Sequence, residues 1–239
     1  MRTTLFKSEE RGRADFGWLQ ARYSFSFANY YNPSAIQFGA LRVLNDDIVK
    51  GGTGFGKHPH DNMEIITIPL QGALKHKDSM SNEWIPLHAG EVQVMSAGRG
   101  IEHSEMNNSI TEDLGLFQIW IIPNAVNVEP NYNQKHFSEL ERKNTLQYLV
   151  SNIENPIADT LTIHQDARIS RMDLDQNRRF KYTTQSQYNG VYVMLIDGEA
   201  EIAGRTLLKR DAIGIEQTID FDVDAKKDSQ LLFIEVPMK

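Results

Sequence analysis

Lys57-His58-Pro59-His60-Asp61-Asn62-Met63-Glu64 and its answering stretch, Gly98-Arg99-Gly100-Ile101-Glu102-His103-Ser104-Glu105, decide how this chain is read. In an extended strand, residues two apart face the same way. His58 and His60 therefore share a face, and so do His103 and Glu105. Brought together by a folded sheet, the two pairs would offer three nitrogens and one carboxylate oxygen. That donor set suits iron, manganese, nickel, copper or zinc, and it leaves coordination positions open for chemistry. A single His-x-His could sit on the surface of any β protein. Two such pairs, each preceded by glycine-rich turn residues, point to a metal site.

Outward from these motifs, strand and turn alternate closely. Residues 63–70 form an apolar run containing Ile65-Ile66-Thr67-Ile68, ended by Gly72. Runs at 74–78, 83–87, 91–95 and 116–122 follow, each bounded by turn residues or, for the last, by Pro123. Upstream, the alternation of Tyr23, Phe25 and Phe27 predicts a strand with one face packed in the core. Residues 39–44 predict another, ended by a turn at Asn45-Asp46-Asp47. Strands this short and this regularly punctuated predict an all-β barrel or sandwich with little helix.

The 239 residues carry a formal charge of -7 and no cysteine. An acidic chain without a Lys/Arg run is a poor partner for nucleic acid or an anionic membrane, so no direct nucleic-acid binding is expected. No apolar run reaches the length of a membrane span. The first residues, Met1-Arg2-Thr3-Thr4-Leu5-Phe6-Lys7, lack the apolar core of a signal peptide, and a cytoplasmic location is expected. Disulfides and thiolate metal sites are excluded.

The pattern then begins again. Val191-Tyr192-Val193-Met194-Leu195-Ile196-Asp197-Gly198 echoes residues 65–72, and residues 208–215 echo 87–94. Two copies of one barrel are predicted: 1–130 as the metal-binding unit, 131–146 as a linker, and 147–239 as a degenerate unit. Within the linker, Glu139-Leu140-Glu141-Arg142-Lys143-Asn144 reads as a short helix whose charges form a solvated face. In the register of the echo, His58, His60 and Glu64 fall on Thr184, Ser186 and Gly190, so the second copy lacks ligands.

His58, His60, Glu64 and Gly72, with Gly100, His103 and Asn107, resemble the two motifs of the cupin superfamily. A closer resemblance covers nearly the whole chain. Ser24-Phe25-Ser26-Phe27-Ala28-Asn29-Tyr30-Tyr31, Leu41-Arg42-Val43-Leu44-Asn45-Asp46-Asp47, His58-Pro59-His60, His76-Lys77-Asp78-Ser79-Met80 and Met95-Ser96-Ala97-Gly98-Arg99-Gly100-Ile101 are similar to the pirin family, in its bacterial, quercetinase-like branch. The resemblance implies two tandem cupin barrels with one divalent transition metal per chain. Iron is the first expectation, with zinc, manganese, nickel, copper or cobalt as alternatives. It also implies His58, His60, His103 and Glu105 as ligands. Glu64 holds the carboxylate position that other cupins use as ligand or base, and its role stays open between ligand, base and structural hydrogen-bond partner.

The implied chemistry is quercetin 2,3-dioxygenase activity, in which O2 opens the central ring of a flavonol. Glu105 or Glu64 would accept the proton of the substrate's 3-hydroxyl. The alternative is a non-enzymatic iron-binding redox sensor or regulator with protein partners. A third reading is a metal-site isomerase or hydrolase. Glu102, Asp46, Asp47 and Asp61 are the carboxylates available to orient the histidines, though each reads first as a surface or turn residue. His76, His88, His136 and His164 lie apart from the motifs and are read as non-ligands.

Overall fold

In the computed structural model, which describes residues 1–238, the chain is built almost wholly of strands. The first half begins with β1 (Arg2–Phe6), β2 (Gly12–Asp15), β3 (Leu19–Tyr23), β4 (Leu41–Val49), β5 (Gly54–His60) and β6 (Glu64–Gln71). It continues with β7 (Ala73–Asp78), β8 (Ile85–His88), β9 (Glu91–Ser96), β10 (Ile101–Asn107), β11 (Leu114–Ile121) and β12 (Asn131–His136). The second half starts with β13 (Gln147–Asn152), β14 (Leu161–Ile163), β15 (Arg168–Leu174), β16 (Arg179–Thr183) and β17 (Asn189–Asp197). It ends with β18 (Glu199–Ile202), β19 (Arg205–Leu208), β20 (Ala212–Glu216), β21 (Asp220–Ala225) and β22 (Ser229–Pro237).

Each barrel is made of two sheets. In the first, β12-β9-β6-β11-β4-β3-β2 accompanies β5-β10-β7-β8; in the second, β1-β20-β17-β22-β15-β13-β14 accompanies β16-β21-β18-β19. The orders correspond strand for strand, β6 with β17 and β9 with β20. These are the segments whose sequence patterns echo each other. The all-β, two-barrel expectation is met.

Two stretches depart from the expected division. β1 lies early in the chain but pairs with β20, from Arg2 opposite Glu216 to Phe6 opposite Ala212. The stretch expected as a linker holds β12, which pairs with β9 on the first barrel. Its charged run forms a short 3-10 helix, Glu139–Arg142, and Arg142 is buried rather than solvated. Polar composition hid both elements, because an edge strand needs little apolar content when its pairing is through the backbone.

The largest apolar cluster lies between the barrels and draws on both halves, with Phe25, Phe38 and Leu44 meeting Tyr192, Met194 and Leu232. Tyr192 is ringed by Phe6, Phe25 and Phe38 at centroid separations of 5.2, 5.6 and 5.8 Å. Aromatic contacts of this kind add roughly 0.5–1.5 kcal/mol each beyond area burial. Phe38 seats against the second barrel because Gly190 and Gly214 carry no side chain. A Cβ there would approach its ring to 2.7 and 2.6 Å.

Inside the second barrel, β16 and β21 occupy the places that β5 and β10 hold in the first. They set Tyr182 opposite Phe221, and the two rings stack at 5.2 Å. Phe233 stacks on Tyr182 from the other sheet at 5.1 Å. Where the first barrel presents histidines, the second is filled with aromatic carbon.

Candidate metal centre

β10 runs between β5 and β7, and its register brings the two motifs together. His103 lies opposite His58 on β5 and opposite Asp78 on β7, while Glu105 lies opposite His76. Pro59 is tolerated between the two histidines because β5 is an edge strand, where one missing N–H breaks no ladder on the open side. The turns that deliver the motifs are tied to each other. Asn62 N–H donates to the Gly98 carbonyl at 2.8 Å, and Ala97 N–H donates to that of Met63 at 2.9 Å.

The imidazoles of His58, His60 and His103 face one another with centroids 4.4 to 4.9 Å apart. One ligating atom of each falls within 4.8 Å of the others. Nε2 of His58 and Nε2 of His103 approach to 2.9 Å. The Gly56 carbonyl, which can only accept, takes a hydrogen bond from His58 Nδ1 at 2.7 Å. Nδ1 therefore carries the proton, and the Nε2 lone pair is directed at the cluster. Burial, reinforced by the neighbouring His58, lowers His60 to about 4 and His103 to about 2, so both rings stay neutral at physiological pH. Three neutral imidazoles converging on one point fit a divalent transition metal.

Glu105 stands beyond His103 and groups with His103 and His76 rather than with His58 and His60. Its carboxylate accepts 2.6 Å and 3.4 Å hydrogen bonds from Gln118 Nε2 and Thr67 Oγ1. Burial raises its pKa to about 7 despite such bonds. It lines the same cavity of about 380 Å³ as the three histidines. Trp18, Tyr23, Phe27, Phe55 and Trp120 form much of the remaining wall. Tyr23 and Phe27, expected as core packing, thus face the cavity, while Phe25 joins the cluster between the barrels.

Glu64 does not share the inward face of His58 and His60. Asn62 adopts φ 45°, and β5 and β6 belong to different sheets, so the alternation does not run through from 60 to 64. Ile65 and Thr67 face the cavity side, and Glu64 points to the opposite face of β6. There it accepts a 2.6 Å hydrogen bond from Ser96 Oγ, and His164 of the second half is nearby. Burial raises its pKa. Glu64 as proton acceptor is therefore corrected.

Two residues set aside in the sequence belong here. His76 is fully buried, its ring 5.2 Å from that of His103 and stacked on Tyr132 at 4.6 Å. Its Nε2 bonds Asp78 at 3.0 Å and its Nδ1 meets Gln93 Nε2 at 3.5 Å, so both nitrogens are engaged. β7 buries alternate residues, Leu74, His76 and Asp78, and that alternation was readable. Asp47 sits in no turn: β4 runs on to Val49, and Asp47 lines the same cavity as the three histidines, with its Oδ1 unpaired. Glu102 faces outward to Lys57 at 2.6 Å.

Burial, then Asp46 and Glu105, raises the Asp47 carboxyl from 3.8 to about 8. Between those values the folded chain binds the proton that the unfolded chain has lost. Stability is thus greatest below the lower value and declines as pH rises toward the upper one. The melting temperature of metal-free protein should fall from pH 5 to pH 8, and Asp47→Asn should flatten that slope. A flat profile, or an unchanged slope in the variant, contradicts the assignment.

A family profile described as Pirin matches residues 6–121, and one described as Quercetinase C-terminal cupin domain matches 149–236. A protein of Escherichia coli (strain K12) named quercetin 2,3-dioxygenase is 40% identical over 234 residues, 98% of each chain. A pirin-like protein of Caulobacter vibrioides is 38% identical, over 95% of this chain and 96% of its own. The crystal structure of the bacterial pirin YhhW from Escherichia coli, in complex with nickel(II), superposes with a TM-score of 0.92 at 37% identity, covering 99% of each chain. Among the described residues no helix is long and apolar enough to cross a membrane. Two cupin barrels, matched along their whole length by relatives of this kind, place the chain in the pirin family, in its bacterial, quercetinase-like branch.

Proposed function

We propose that this protein is a dioxygenase that opens the central ring of a flavonol with O2. His58, His60, His103 and Glu105 would hold one divalent transition metal, iron in the first instance. The carrying observation is three neutral, converging imidazoles opening into an aromatic-walled cavity with a buried carboxylate beside them.

A divalent metal at this position supplies Lewis acidity, lowering the pKa of a coordinated hydroxyl. The chain's own residues account for the rest. Trp18, Phe27, Phe55 and Trp120 present flat apolar faces suited to a planar polycyclic substrate. Glu105, buried on the wall of the same cavity as the three histidines, is placed to take the 3-hydroxyl proton. Gln118 and Thr67 hold that carboxylate in place.

Elemental analysis should find about one metal per chain. In an oxygen electrode, flavonols bearing a 3-hydroxyl should be consumed with release of carbon monoxide, and flavones without it should be inert. Equal consumption of both, or about two metals per chain, overturns the reading. Stoichiometric metal with no uptake across the panel would favour the regulator instead.

A further inference from the structure

Between the barrels lies a second cavity, of about 660 Å³, with β4 forming a wall between it and the metal site. Both halves line it, and its basic side chains outnumber the carboxyls of Glu9, Asp46, Asp47, Glu139 and Asp197 that share the lining. Arg11, Arg142 and Arg171 are 6%, 3% and 7% exposed, and Arg210 joins them at its edge. The chain is acidic overall, so this concentration of guanidinium groups is local and arises only on folding.

The partners do not match the charges. Arg142 is satisfied by Glu139 at 2.8 Å and Asp173 at 2.9 Å. Arg11 and Arg210 share the single carboxylate of Asp46, at 3.7 and 3.5 Å, too far for a direct hydrogen bond. Arg11 Nε and Nη1 and Arg210 Nη1 are buried without an acceptor. Arg171 makes no ion pair or side-chain hydrogen bond among the described residues, and its Nε is sealed from solvent. The carboxylates near Arg171, Asp173 and Glu139, are the two already paired with Arg142, so two buried guanidiniums share them. Burial, and after it the Arg142 cation, lowers the Arg171 pKa to about 10 against the opposing pull of those carboxylates. Water can satisfy a free donor here, but it adds no negative charge to the cluster.

We propose that the inter-barrel cavity is a binding site for a small organic oxyanion, its carboxylate or phosphate group seated on Arg171 with Arg11 and Arg210 beside it. The planar fork of arginine matches both groups in a bidentate manner. A cavity of this volume also has room for the organic part of such a ligand.

The test is calorimetric titration of the full-length, metal-loaded protein with inorganic phosphate and, separately, with succinate. At least one probe should bind saturably at about one per chain, and the tighter of the two identifies the head group as phosphate or carboxylate. Arg171→Gln should weaken that binding about tenfold or more, the scale of a lost charge-assisted hydrogen bond. Metal content should be unchanged, and Arg171→Lys, which keeps charge and loses the fork, should fall between. Should Arg171→Gln fail to fold, the less buried Arg210→Gln reads the same site and should weaken binding several-fold. No saturable binding of either probe up to about 10 mM overturns the proposal. So does binding that every folded variant leaves unchanged.

Discussion

Replacing His60 with alanine is expected to abolish flavonol-dependent oxygen uptake while leaving the barrel folded. His60 ends an edge strand, is half-buried, and meets Trp120 edge-on at 4.9 Å, so little packing depends on it. Its lone pair is one of three aimed at the same point. Losing a ligand should weaken metal retention by at least the roughly 10- to 100-fold seen when groups supporting a ligand are removed. Metal content after dialysis, uptake, and the circular dichroism of metal-free protein should be read together. A variant that turns over at the native rate with its metal gone would sink the metal's role. One that fails to fold would make His60 structural.

The second large effect separates two glutamates that look alike in the sequence. Glu105→Gln should lower turnover by about 10²–10⁴-fold, because an amide cannot accept the proton assigned to this carboxylate. It should also loosen metal retention. Glu64→Gln should keep both metal and turnover within a few-fold, since Glu64 faces Ser96 and the second barrel rather than the histidines. Its effect should fall on melting temperature instead. The decisive comparison is metal content and rate on both variants in one preparation series. If Glu64→Gln is the one that loses metal, the face assigned to β6 is wrong.

The barrels and the convergence of the histidines were legible because both rest on period-two alternation within single strands. His58 and His60 on β5, and His103 and Glu105 on β10, keep their parity in the structure. Parity fails across a turn, and Glu64 shows it: one left-handed residue, Asn62, resets the count. Asp47 was hidden for a different reason. Asn45-Asp46-Asp47 has the composition of a turn, but it lies in a strand whose inward face lines a polar site. The arginine cavity has no local signature either, because its members lie far apart in the chain and meet only when the halves pack.

The exchange of edge strands sets a limit on how the protein can be cut. A gene fragment ending at residue 130 would lack β12 and leave the outer backbone of β9 without a partner, while carrying a β1 whose own partner, β20, is missing. The complementary fragment would bare β20 along its length. Each piece would expose an unpaired strand of the kind that recruits further copies and precipitates. Although the chain repeats one motif twice, its two barrels are not interchangeable parts, and transplantation or fusion has to carry both.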